Sequence, residues 1–223
     1  IFLVCDMSKL YGEQHRGFQD EFETRKLADT IENVIVHSEV SDEEKAFIES
    51  RDMFFLSTID HLGRPSVSYK GGEKGLVKVV DANTLAFPSY DGNGMYLSAG
   101  NMTINNKVGM LFIDFENPHR LRIYGEASVA SNDPLLAEYN DAQLIIRIKI
   151  TEMWINCPRY IHKYQRVESS KYVPQKDTEA PLPEWKKLDL FQEMLPSKDQ
   201  GKAEEQGGTI TLDELQEYEK RDD

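Results

Sequence analysis

Three stretches of this 223-residue chain hold residue types able to do chemistry. "NCPRYIH", Asn156 to His162, places a thiol, a guanidinium and an imidazole within seven residues. Cys157 and His162 could be a nucleophile and its base, half of a metal site, or part of a wall that holds an anion. In an extended strand a separation of five puts the two side chains on opposite faces, so a dyad requires a turn or helix after Pro158. A zinc site needs two further ligands, whereas His15, His37, His61 and His119 stand in unrelated segments. What is left is Arg159 as an anion-binding or ion-paired side chain, with Cys157 as a small buried filler.

"YKGGEKG", Tyr69 to Gly75, gathers three glycines and two lysines directly after a strand-like run. Glycines let backbone N–H groups approach an anion or a flat ring, and a lysine supplies charge. The spacing is not that of a Walker loop, and the run does not open a helix as a dinucleotide fingerprint must; a solvated turn is the alternative. "FPSYDGNGMYLSAGNMTINN", Phe87 to Asn106, sets Ser89, Tyr90, Asn93, Ser98, Asn101 and Asn105 around three glycines. Such short hydrogen-bonding groups suit a ligand tail rich in acceptors, and an Asn/Gly-rich surface loop followed by a short helix would look the same.

The elements that must position these groups are legible as changes of period. Phe18, Phe22, Leu27 and Ile31 recur at helical spacing and predict one amphipathic helix before the core. Ser41, three residues before Glu44, forms a capping box that starts a second helix. "MFFLSTID" (53–60), the turn "HLGRP" (61–65) and "SVSYK" (66–70) read as a β-hairpin. Further strands are expected over 75–81, 84–88, 107–115, 120–130 and 143–155. The short turn-rich links between them, such as 81–83 and 116–119, imply a mainly antiparallel sheet able to close as a small barrel. Beyond about Ser170, several prolines with Trp185 and Phe191 as isolated anchors suggest an extended arm. From Gly201 onward eight acids against three bases predict a mobile tail or short marginal helix. The expected organisation is a helical segment 1–48, a barrel domain 49–170 and a C-terminal extension 171–223.

A formal charge of −13 argues against nucleic acid or an anionic membrane as partner, since both need clustered Lys and Arg. Cys5 and Cys157 are too far apart in sequence for a CxxC framework, so a reduced chain is the simplest reading, with a single disulfide between them as the alternative. The apolar opening "IFLVC" breaks at Asp6, and no run approaches the roughly 18 apolar residues of a membrane helix. The expectation is a soluble, cytoplasmic protein.

Four segments in this order, "FIESRDMFFLSTIDHLGRPSVSYKGG", "LAFPSYDGNGMYLSAGN", "VGMLFIDFENPHRLRIYGEA" and "NCPRYIH", resemble the pyridoxamine 5′-phosphate oxidase-like FMN-binding proteins. The likeness runs from about Tyr11 to Trp185 and is nearest to a bacterial subgroup with a leading "YGE..R..Q" helix. It implies a mainly β (α+β) fold, an antiparallel split β-barrel with N-terminal helices and an extended C-terminal arm. It also implies a homodimer holding FMN at the subunit interface. Val67, Ser68, Tyr69, Lys70 and Gly71 would then follow the flavin edge, and Phe87, Pro88, Ser89, Tyr90, Asn93 and Gly94 would reach the ribityl chain and phosphate. Asn101 would support them, and Arg120 or Arg122 would enter from the partner's side.

Departures from the oxidases themselves bear on the substrate. Their phosphate-binding Arg-Lys pair is replaced here by "GNG", Gly92 to Gly94. Their C-terminal arginine and histidine are separated by one residue, whereas Arg159 and His162 are separated by two. The FMN phosphate would rely on backbone N–H groups, Asn93 and Arg64 or Arg159. The resulting reading is an FMN-dependent oxidoreductase acting on an unidentified small molecule, with Tyr69, Lys70 and His162 as candidates for proton delivery and no metal. The alternatives are a flavin store or sensor without turnover, or the same fold holding a deazaflavin or haem.

Overall fold

The computed structural model describes residues 8–175 and 180–219. The chain divides into two compact units, Ile1–Arg166 and Val167–Asp223. The first is built on seven strands: β1 (Met53–Ile59), β2 (Pro65–Gly71), β3 (Lys78–Asp81), β4 (Thr84–Tyr90), β5 (Lys107–Asp114), β6 (His119–Ala130) and β7 (Ala142–Ile155). They form one sheet in the order β2-β1-β5-β6-β7-β4-β3, and every pairing is antiparallel. Period-two alternation decides which face is interior: Phe54, Leu56 and Thr58 on β1, Val108, Met110 and Phe112 on β5, and Leu121, Ile123 and Ala127 on β6 are buried.

The sheet curls on itself as a split barrel. Phe54 of β1 stacks on Phe112 at 5.4 Å and meets Phe87 of β4 edge-on at 5.0 Å, although β1 and β4 stand four places apart in the sheet. The β1–β2 turn follows the expected "HLGRP" closely. Asp60 Oδ1 accepts the backbone N–H groups of Leu62 and Arg64, its Oδ2 accepts Arg64 Nε at 2.7 Å, and Gly63 takes the positive φ of 77°.

The single N-terminal helix expected from Phe18, Phe22, Leu27 and Ile31 is instead two, α1 (Glu13–Glu21) and α2 (Arg25–Ile35). The chain turns where Glu23 adopts φ 57°, and Thr24 N–H donates to the carbonyl of Gln19. Periodicity across the break survived because the turn is short, and it concealed the reversal. The third helix, α3 (Asp42–Glu49), begins as predicted at the capping box: Ser41 Oγ accepts from Glu44 N–H while Glu44 Oε2 accepts from Ser41 N–H at 2.9 Å.

Glu44 has a second task. Residue His37 pairs by backbone with Met153 of β7, and its ring bridges the Ile35 carbonyl (Nδ1, 2.8 Å) and Glu44 (Nε2, 2.9 Å). With acceptors at both nitrogens the imidazolium is the form that satisfies both contacts. Partial burial opposes the charge, but the Ile35 carbonyl and Glu44 together outweigh it and hold the His37 pKa above its ordinary 6.5. A raised folded-state pKa stabilises fully below about 6.5, and that contribution is lost as pH rises through the folded value. A thermal-melt series across neutral pH is expected to fall on the alkaline side for the wild type and to lose this step in His37→Gln.

The second unit contains 3₁₀ turns at Glu184–Lys187 and Asp189–Met194, then α5 (Lys202–Glu205) and α6 (Leu212–Glu219). The prolines at 181 and 183 precede these turns, and Trp185 packs edge-on to Phe191 at 6.2 Å, so the two aromatics read as separate anchors meet each other. Lys186 and Asp199 form a buried ion pair at 2.7 Å. The extended chain lies earlier than expected, across 156–170, which carries neither helix nor strand. Among the described residues no helix is long and apolar enough to cross a membrane. Cys5 and the apolar opening lie outside the described residues.

Candidate functional site

A cavity of about 230 Å³ opens where the end of β2 faces β4 across the interior, with α4 (Leu97–Ile104) closing one side. Its walls are Tyr69, Lys70 and Gly71 of β2, Phe87 to Gly92 of β4 and the following loop, and Ser98, Ala99 and Met102 of α4, over a floor that includes Leu56 and Ile146. Two of the glycine- and polar-rich stretches marked in the sequence therefore meet, though the 15 residues 72–86 separate Tyr69–Gly71 from Phe87–Gly92.

A three-membered polar chain starts from two residues of the cavity wall, Lys70 and Ser98, and runs back to Ser68 behind it. Lys70 Nζ donates to Ser98 Oγ at 3.2 Å, and Ser98 Oγ shares a hydrogen with Ser68 Oγ at 3.0 Å. Among the described residues Lys70 forms no ion pair, and burial alone pulls its ammonium pKa down from 10.5. A desolvated cation balanced only by hydroxyl dipoles is a site prepared for a negative or electron-rich ligand. Nearby, burial first and then Glu73 and Asp141 push the Tyr90 phenol up to about 12, so it stays protonated as a donor. Burial and Asp52 likewise raise Tyr69, against the opposing pull of Arg166.

Backbone shape fits the same purpose. A Cβ at Gly71 would stand 2.7 Å from the Tyr69 ring, and one at Gly72 would stand 2.7 Å from Leu76, so larger residues would crowd the cavity rim. Helix α4 is fixed to β1 by Asn101 Nδ2, which donates to Thr58 Oγ1 at 3.0 Å inside the core. Asn101 thus supports the site by holding the helix that carries Ser98, and it does not line the cavity.

The other candidates are dispersed. Val67 is 70% exposed on the outer face of β2. Asn93 and Gly94 sit in the exposed turn beyond Gly92, where Asn93 accepts from Met95 N–H and Gly94 adopts φ 76°. Arg122 lies over the Trp154 ring at 5.7 Å, and Arg120 Nε is buried with no hydrogen-bond partner among the described residues. Arg64 is tied into the β1–β2 turn by Asp60. Arg159 is exposed and rests over Tyr160 at 5.9 Å; His162 is exposed too. Cys157 is exposed and not the buried filler expected, because the chain leaves the sheet at Ile155 and Pro158 turns it away. Ser98, Ala99 and Met102 were not among the binding candidates. Ser98 stood within the polar stretch, but only the helix that follows Tyr96 aims it at Lys70.

Comparison with known proteins adds the family. Residues 40–157 match the family model described as pyridoxamine 5′-phosphate oxidase. No curated protein matches the chain. Among solved structures, similar chains include an FMN-binding protein from Syntrophomonas wolfei (12% identity, 63% of this chain and 98% of that one, TM-score 0.42). HupZ from Group A Streptococcus (16%, 52% and 93%, 0.43) and HutZ, the haem storage protein of Vibrio cholerae (19%, 52% and 94%, 0.39), are also similar. The matched segment runs from just before α3 to the end of β7, holds every strand of the barrel and all the cavity's walls, and spans more than half of the sequence: the chain belongs to the pyridoxamine 5′-phosphate oxidase family.

Proposed function

We propose that this protein binds FMN at the Lys70 cavity and acts as an oxidoreductase on a small molecule. The observation that carries the reading is the unpaired, desolvated Lys70 ammonium set beside the Ser98 and Ser68 hydroxyls. A cation so placed favours a ring system that becomes more negative on reduction. Phe87, Pro88 and Met102 supply apolar walls for a flat heterocycle, while Ser89, Tyr90 and the backbone at Asp91 and Gly92 offer hydrogen bonds to a polar tail.

Bound there, the flavin would supply hydride exchange with the substrate. The chain's own residues bind and orient it, and Tyr69 and Lys70 are the groups able to hold or deliver a proton beside it. His162, outside the cavity wall, is a candidate only if the segment that carries it closes over the opening.

A volume of about 230 Å³ is below the roughly 300–1,000 Å³ of a typical small-molecule site. One chain therefore accommodates part of the cofactor, and a second copy would complete the enclosure. Homodimerisation supplies that copy, and Arg120, Arg122 and Arg159, all outside the cavity, would meet the flavin from it. The orphaned Nε of Arg120 is the group among them most in need of an acceptor.

Anaerobic mixing of the flavin-loaded protein with NADH and with NADPH tests the activity. Bleaching of the flavin band, followed by reoxidation with an added acceptor, is expected of an oxidoreductase. A band that persists with both donors, on a protein that nevertheless binds FMN tightly, would contradict turnover and leave a flavin-holding protein.

A further inference from the structure

The contact between Lys70 and Ser98 has a chemistry of its own. A serine hydroxyl becomes a nucleophile when a neighbouring base takes its proton, and a lysine serves as that base where its surroundings favour the neutral amine. Lys70 Nζ stands 3.2 Å from Ser98 Oγ, at the limit of direct proton transfer in an empty site. Among the described residues Lys70 has no carboxylate partner, and burial draws its pKa down from 10.5; both enlarge the neutral fraction.

The surroundings of Ser98 complete the set. Ser68 Oγ lies 3.0 Å from Ser98 Oγ. With the Ser98 proton directed at the amine, the Ser68 hydroxyl is the donor of that second bond and holds Ser98 in place. Ser98 is the second residue of α4, and Tyr96 at the N-cap gives the helix no side-chain cap. The first-turn N–H groups at Ser98 and Ala99 have no intrahelical acceptor, and this end of the helix favours negative charge. Lys70, Ser98 and Ala99 all line the cavity, and Leu56, Met102 and Ile146 give it apolar surface for a short acyl chain.

We propose that Ser98 and Lys70 form a nucleophile–base dyad that hydrolyses esters of short carboxylic acids in the flavin-free cavity. Ser98 Oγ bonds to the acyl carbon as its proton passes to Lys70 Nζ, and the carbonyl oxygen becomes an oxyanion beside the N–H groups of α4. The carbon–oxygen bond to the alcohol then breaks, and the departing oxygen takes the proton from Lys70. Water attacks the acyl-serine and gives its proton to Lys70; the bond to Oγ breaks, Oγ takes that proton back, and the carboxylic acid leaves. No electrons are gained or lost, and water is the only co-reactant. The inference does not rest on the flavin reading, although FMN bound in the same cavity would compete with the ester.

The test uses the full chain freed of flavin, with p-nitrophenyl acetate as the probe. Saturable release of nitrophenolate is expected, with kcat/KM rising with pH as Lys70 loses its proton. The wall's other titratable side chains are Tyr69, Tyr90 and Asp91; Glu73 and Asp141 act on Tyr90, and both phenols are held above 10.0. Ser98→Ala, and Lys70→Arg, which keeps the charge but cannot release a proton, should each lower kcat/KM about a hundredfold or more. Ser68→Ala should lower it about tenfold, and Ser68→Thr should restore it. Diisopropyl fluorophosphate gives a readout that needs no variant: mass spectrometry of the treated wild type should place one phosphoryl adduct on Ser98. A wild type that hydrolyses the ester no faster than Ser98→Ala, or an adduct found only on other residues, would overturn the proposal. Labelling of Ser98 that added FMN does not slow would support the dyad and count against the cofactor reading alone.

Discussion

Lys70→Met is expected to weaken FMN binding about tenfold to a hundredfold while raising the melting temperature of the flavin-free protein. The first effect follows from losing a cation in a partly dry cavity, where a hydrogen bond to a charged group contributes about 1.5–3 kcal/mol. The second follows from what the cation costs when nothing answers it. Among the described residues Lys70 is held by the Ser98 hydroxyl and forms no ion pair, and burial depresses its pKa, so in the flavin-free fold it is a desolvated charge that an apolar isostere removes. The sign with pH is fixed by the same shift. A folded-state pKa below the unfolded 10.5 means that the unfolded chain binds more protons. Wild-type stability without flavin should therefore rise as pH climbs through the folded value toward 10.5, and Lys70→Met should lack that rise. Flavin affinity should move the opposite way, falling as the amine loses its proton. Isothermal titration with FMN and a pH series of thermal melts check the pair together. A Lys70→Met protein that kept full affinity would remove Lys70 from the site.

Gly125→Ala is expected to cost about 3 kcal/mol, or roughly 6–12 °C in melting temperature for a chain of this size. Gly125 sits where the β6–β7 register shifts, between Tyr124 and Gly125. A Cβ there would lie 2.5 Å from Ile148 Cγ2 and 2.6 Å from the backbone oxygen of Lys149. The side-chain contact could relax, but the carbonyl belongs to the neighbouring strand's backbone and cannot move alone. Gly109→Ala, one strand away, is the control, since its Cβ meets Ser57 and Tyr124 at ordinary distances of 3.7 and 3.8 Å. Its melting temperature should stay near that of the wild type. Equal losses in both variants would mean that general strand disruption, and not the close approach at the bulge, sets the cost.

The strands and the capping box were legible because their signals are local. β-rich composition marked 53–60 and alternation marked 66–70, Ser41 and Glu44 are three residues apart, and the Asp60–Arg64 turn is written in five consecutive residues. Tyr69 to Gly71 and Phe87 to Tyr90 were marked by composition, and the sheet's curl then brought them to one cavity. Contacts across the interior had no such signal. That Ser98 would meet Lys70 depends on the direction in which α4 leaves Tyr96, and Asn101 reaches Thr58 only after that helix docks. The break between α1 and α2 was hidden because a tight reversal at Glu23 preserves the apolar spacing on both sides. "NCPRYIH" misled about Cys157 because nothing in the sequence showed that the chain leaves the sheet at Ile155.

The central claim is that the Lys70 cavity holds FMN. The most direct measurement is the absorption spectrum of freshly purified protein, repeated on the supernatant after heat release and again after adding FMN, FAD, a deazaflavin or haem to the flavin-free protein. A yellow protein that releases FMN, or a colourless one that takes up FMN with near one-to-one stoichiometry per chain, is the result predicted here. A protein that binds no flavin, or whose spectrum develops only with haem or a deazaflavin, would contradict it.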